Sequence, residues 1–99
     1  MHTLKGIAET REVYLDGKLL TPEESFKYRI HSHDGFSWGY SGSGPAQLAL
    51  AIMLKLTGKP DHYQDFKSSV IATLPFDKDF ECEFNFEIKE SISIYTHLL

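Results

Sequence analysis

Cysteine is nearly absent: Cys82 stands alone, so no internal disulfide can form and a reducing compartment is expected. Positive charge is scarce as well. Ten Lys and Arg against fourteen Asp and Glu leave a net charge of −4, without the basic stripe that direct nucleic-acid binding needs. No dense acidic run replaces it, which weakens a reading as a nucleic-acid mimic. Long apolar runs are missing too. The longest, Leu48–Leu54, is far too short to cross a membrane, and MHTLKGIAETREVY at the start has acidic residues and no apolar core of a secretory leader. Repeats, low-complexity tracts and linkers do not occur. What these absences leave is one cytoplasmic domain spanning residues 1–99, with no membrane partner.

What is present is apolar and aromatic. Hydrophobic residues make up 41% of the chain, and seven Phe, five Tyr and Trp38 supply much of a core. Val13 and Leu15 alternate with Tyr14 and Asp16, and Asp16-Gly17 gives a hairpin turn before Leu19-Leu20. Thr21-Pro22-Glu23-Glu24 starts a helix of a turn or two, with Thr21 as cap and Pro22 at the first position. Phe26, Tyr28 and Ile30 alternate with Lys27, Arg29 and His31, which predicts a strand over 26–31. A polar turn at 31–35 leads into a short alternating strand at 36–40.

Pro45 then opens a helix that Gly58 closes. Between them only Gln47, Lys55 and Thr57 are polar, so this helix is predicted to be central, with Leu48, Ala49, Ile52, Met53 and Leu56 inaccessible. Asp61 is placed to cap a second helix over 62–74, whose stripe is Tyr63, Phe66, Val70, Ile71 and Leu74. Phe80, Cys82 and Phe84 alternate with Glu81 and Glu83, a strand with one wet face. Asn85 is placed to cap a last helix carrying Ile88, Ile92, Tyr95 and Leu99, with a strand through Ser91–Ile94 as the rival. The fold class is α+β: a small, mostly antiparallel sheet packed on a buried central helix plus one or two further helices.

Chemistry concentrates before the central helix. Gly39-Tyr40-Ser41-Gly42-Ser43-Gly44 precedes a helix start, where free N–H groups and the helix dipole favour an anion. Ser41 and Ser43 add hydroxyls, Trp38 or Tyr40 can wall the site, and Arg29 can balance charge. The glycines equally suit a tight connection that lets the chain pass Trp38 and Tyr40. No Lys-Ser/Thr pair follows the last glycine and the glycine spacing is not that of a dinucleotide fingerprint, so no cofactor is expected. His31 and His33, with Asp34 or His62, supply too few local ligands for a metal and read as turn residues. Neither histidine is paired with a nucleophile. Cys82, on the apolar face of its strand, reads as a small buried hydrophobe, and Glu81 and Glu83 as solvated carboxylates.

The run GFSWGYSGSGPAQLALA, residues 35–51, with His31-Ser32-His33-Asp34 before it, resembles the signature of an uncharacterised family. Its members are small proteins of about this length, met in bacteria, archaea and their phages and plasmids, and classed as a domain of unknown function. HYQDFK at 62–67, followed by Val70-Ile71-Ala72 and Leu74-Pro75, resembles the same family's second signature. His33 stands where that pattern has proline, and Ser41 where it has glycine. The resemblance implies a setting among mobile genetic elements and supplies no catalytic residues.

The expectation is therefore a non-catalytic accessory protein of a phage or mobile element. It would bind an anionic, nucleotide-like molecule at Trp38, Gly39, Tyr40, Ser41, Gly42, Ser43, Gly44 and Arg29, as a sponge for a host immune signal. The alternative is a protein-interaction module that inhibits a host defence complex. A homodimer is also expected, because the chain has more apolar helix surface than 99 residues easily cover.

Overall fold

The central strand of the sheet is one that hydrophobic patterning does not reveal. In a computed structural model describing residues 1–99, strand β1 (His2–Gly6) pairs antiparallel with β2 (Val13–Leu15) on one side and β4 (Phe80–Ile88) on the other. Its one large apolar side chain, Leu4, sits between Leu15 and Cys82 and is fully buried. Gly6 leaves the space that the ring of Phe80 fills. Strands β3 (Lys18–Leu20) and β5 (Ile92–Leu98) complete an antiparallel sheet of order β3-β2-β1-β4-β5.

The β2–β3 turn follows its sequence. Asp16 and Gly17 both take left-handed backbone, φ 52° and 82°, which matches the twist of the flanking strands. The Asp16 carboxylate accepts the Thr3 N–H at 2.8 Å and pairs with His2 Nδ1 at 2.8 Å. Partial burial alone would raise its pKa, but the Thr3 amide and His2 outweigh that and hold it below the usual carboxylate value.

One face of the sheet carries Leu4, Val13, Leu15, Leu20, Phe80, Cys82 and Phe84 into the core. Helix α2 (Ser43–Thr57) meets that face with Leu48, Ala49, Ile52 and Met53, all buried. Every residue from Gly44 to Met53 is buried, as expected of a helix surrounded by protein, whereas Leu56 is only half-buried. The helix begins at Ser43, two residues ahead of the expected start, so Pro45 lies in the first turn, where its missing N–H has no helical partner to lose. Gly58 ends it in left-handed conformation, its N–H reaching Leu54 O at 2.9 Å. The short helix α1 (Glu23–Phe26) and helix α3 (Tyr63–Ser69) pack alongside. No helix is long and apolar enough to cross a membrane.

Four expectations are corrected. The strand over 26–31 does not form: Phe26 ends α1, and the following backbone bonds to the side chain of Gln47 instead of a ladder. Residues 36–40 are not a strand; Phe36 and Trp38 bury their rings, and the Gly39 N–H donates to Ile71 O. The helix over 62–74 is interrupted. His62, not Asp61, precedes it, Val70 breaks the helical path at φ −120°, and a 3₁₀ turn follows over Ile71–Thr73, although Phe66, Val70, Ile71 and Leu74 remain buried. The last segment is strand β5, the rival reading, because its β-branched residues pair with β4: Ile88 opposite Ile92, Phe86 opposite Ile94.

Candidate functional site

The glycine loop is built around aromatic rings. Trp38 is fully buried, edge-on to Phe80 with centroids 4.9 Å apart, and its Nε1–H donates to Lys78 O at 2.8 Å. The Arg11 guanidinium lies 5.4 Å from the ring centroid. Trp38 thus belongs to the core and has no face free to wall a ligand. Gly39, at φ +85°, passes so close to the backbone of Phe76 that no side chain fits. Tyr40 is exposed, leans edge-on against Phe76 at 5.7 Å, and shares a 2.8 Å hydrogen bond with Ser37 Oγ. Its ring occupies the space beside Gly42, while Ser37 occupies the space beside Gly44. The glycines therefore let the chain pass its own side chains.

That packing leaves some loop amides unused. Gly39 N–H is bonded to Ile71 O at 3.0 Å, and Gly42 O accepts from Ala46 N at 3.0 Å. The N–H groups of Ser41, Gly42, Ser43 and Gly44 find no acceptor in the protein. Ser41 and Ser43 are exposed. None of the surface depressions, however, is lined by residues 38–44. The most voluminous, about 450 Å³, lies on the solvent face of the sheet among Thr3, Lys5, Ile7, Tyr14, Gly17 and Glu81.

Arg29 enters a different constellation. Its carbonyl accepts from Gln47 Nε2 at 3.1 Å, and its charge acts on His31. His31 Nε2 and Tyr63 Oη are 2.8 Å apart. Burial, then Arg29 and Lys67, lower the His31 pKa from its ordinary value. His33 and Asp34 are exposed, and no three His, Cys, Asp or Glu side chains gather where a metal could sit. Cys82 is buried, and burial pushes its thiol up to about 11 against the opposing effect of a Thr96 hydrogen bond.

Two features escaped the sequence reading. Gln47 is completely buried and gathers the 25–32 segment; its signal was visible as the lone polar residue deep inside an apolar helix. The second is β5. It has no strand neighbour beyond β4, carries no Lys, Arg, Asp, Glu, Pro or Gly, and exposes Tyr95, Leu98 and the adjoining Leu99 by more than half. Because this segment read as a helix, its open edge could not be anticipated.

Neither the curated proteins nor the solved structures include a match to this chain. Residues 3–93 match a family described as a family of unknown function (DUF6166). With nearly all of its core, the glycine loop and the Gln47 cluster inside that span, the chain belongs to this family of unknown function.

Proposed function

We propose that this chain is a non-catalytic accessory protein that works by binding another protein along the open edge of β5. The observation that carries the reading is the edge itself: a seven-residue strand without Asp, Glu, Lys or Arg, hydrogen-bonded on one side only. Such an edge is a template for adding a strand, and natural sheets usually blunt it with charge or proline. The buried thiol of Cys82 and the tyrosine-bonded His31 support a role without covalent chemistry. The family resemblance suggests a setting in a phage or mobile element, and action in the host cytoplasm against a defence complex is part of this proposal. A photo-crosslinking residue at Tyr95, compared with ones at Gln64 and Ser41, tests the reading in host cells. Protein adducts concentrated at position 95 are expected; adducts confined to 64 or 41 would overturn it.

A second reading has its own observation. The free amides of Ser41 to Gly44 open a fifteen-residue helix whose dipole favours negative charge. On that reading an anionic, nucleotide-like molecule sits against Ser41 and Ser43 with Tyr40 beside it. Nucleotides should then raise the melting temperature by mass action, and Ser43→Ala should diminish the rise. A panel of nucleotides that leaves the melting temperature unmoved would remove this reading.

A further inference from the structure

The two edges of the sheet are treated differently. β3 is three residues long, begins with Lys18 and runs at once into Thr21-Pro22, so it is short, charged and stopped by proline. β5 has none of these protections. Its register shows which backbone groups remain open. Leu99 N–H donates to Glu81 O and Lys89 N–H to Ser91 O, so the odd-numbered residues of β5 bond to β4. The N–H and C=O groups of Ile92, Ile94, Thr96 and Leu98 therefore point away from the sheet.

We propose that the occupant of this edge is a second copy of the same chain, joined β5 to β5 in antiparallel register about a two-fold axis midway between the two Tyr95 residues. This rests on the reading above that the β5 edge is the binding surface, and makes a second copy its resting occupant, which a host protein must displace to bind there. Tyr95 is the central residue of the strand. Centring the pair there opposes Ile92 to Leu98 of the second copy and Ile94 to its Thr96, so each outward-pointing residue is hydrogen-bonded. Other registers leave some unpaired. Side chains agree with the same register. On the helix side, an open depression of about 250 Å³ lies between α3 and β5, lined by Asp65, Ser69, Ser91, Ile92 and Ile94. Leu98 of the second copy, placed opposite Ile92, enters that depression, which would cover a leucine that is 53% exposed in the single chain. On the other face Tyr95 meets Tyr95 in the closer, non-hydrogen-bonded type of pair, and Ser93 meets His97. No Asp, Glu, Lys or Arg is brought against its like, which is what makes the strand self-complementary. The result is one continuous sheet with all helices on the same side.

Sedimentation equilibrium over a wide concentration range tests this, since one seam of this size gives a weak, concentration-dependent dimer. The parent mass should climb from that of one chain towards two. Thr96→Pro removes an outward N–H while sparing the backbone bonds to β4, and Leu98→Glu puts a charge into the seam opposite Ile92 and near Asp65. Each should weaken dimerisation at least about tenfold, whereas Leu19→Glu on the β3 edge should leave it unchanged. Far-UV circular dichroism and melting of both β5 variants confirm that the fold persists. A parent that stays at 11.3 kDa throughout overturns the proposal, as does a dimer that ignores both β5 variants. If the parent is a monomer yet position 95 still crosslinks to another protein, self-pairing fails and the binding reading stands. A monomer with no adduct at 95 removes both.

Discussion

Residues 25–32 and the outer edge of β5 pose the same physical problem and resolve it in opposite ways. Both carry backbone N–H and C=O groups outside any ladder, which must find partners if they are buried. In the first region one side chain does the pairing. Gln47 Oε1 accepts from His31 N at 2.6 Å and Ser32 N at 3.1 Å, while Nε2 donates to Ser25 Oγ at 2.7 Å and to Arg29 O at 3.1 Å. Both donors and both acceptor sites of the amide are used, and no buried side-chain polar atom in the chain is left unpaired. Along β5 no side chain turns back to close the edge. A polar group destined for the interior has a dedicated partner from within the chain; the groups left open lie where a whole strand can supply partners at once.

Removing the dedicated partner should have the largest effect. Gln47→Leu keeps an apolar helix but strands the groups it bonded, and should destabilise by about 4 kcal/mol in urea unfolding. A loss under about 1 kcal/mol would mean that water replaces the amide freely, erasing the contrast between the two regions. Leu48→Ala, one position further in a helix with no exposed side, should cost about 3 kcal/mol through the cavity it leaves. If this helix were instead among the first segments to exchange its amide hydrogens, its central place would be wrong. Tyr63→Phe deletes the partner of His31 at the border of the Gln47 region, and a loss of about 1 kcal/mol is expected.

The smallest effect is a dependence on pH. In the folded chain burial, Arg29 and Lys67 hold the His31 pKa below its ordinary 6.5. Between those two values the unfolded chain binds more protons than the folded one, so stability rises with pH and is lost as pH falls below 6.5. The melting temperature should therefore drop between about pH 7 and pH 5, and less steeply in His31→Gln. Equal slopes in the two proteins would show that protonation of His31 does not oppose folding.

What could be read from the residues follows from where the partners lie. Asp16-Gly17 and Gly58 act through their own backbone conformations, so the hairpin and the end of α2 were visible locally. The alternation of Phe26, Tyr28 and Ile30 imitates a strand, because Gln47, which decides that backbone, is far along the chain. β1 has a single large apolar residue and is fixed by neighbours on both sides, so period two is hardly written in it. In the last segment Ile88, Ile92, Tyr95 and Leu99 fall at helical spacing by coincidence of a turn. The strand puts Ile92 on the helix side and Tyr95 on the solvent side. Of the loop, the role of its glycines in letting the chain pass Trp38 and Tyr40 was legible, while the partners that hold Trp38 in the core, Phe80 and Lys78, are distant in sequence.

Cys82 sits in register between Leu4 of the central strand and Leu98 of the outer one. A thiol-modifying reagent can reach it only after the outer strand peels away or the chain unfolds, and its high pKa keeps the sheltered thiol unreactive until then. The rate of modification consequently works as a clock for the loosening of that margin. Run on dilute and concentrated samples, the clock should slow in the latter if a neighbour clamps the strand. The protein thus carries, in its one sulfhydryl, a built-in gauge of how often its outermost strand comes undone.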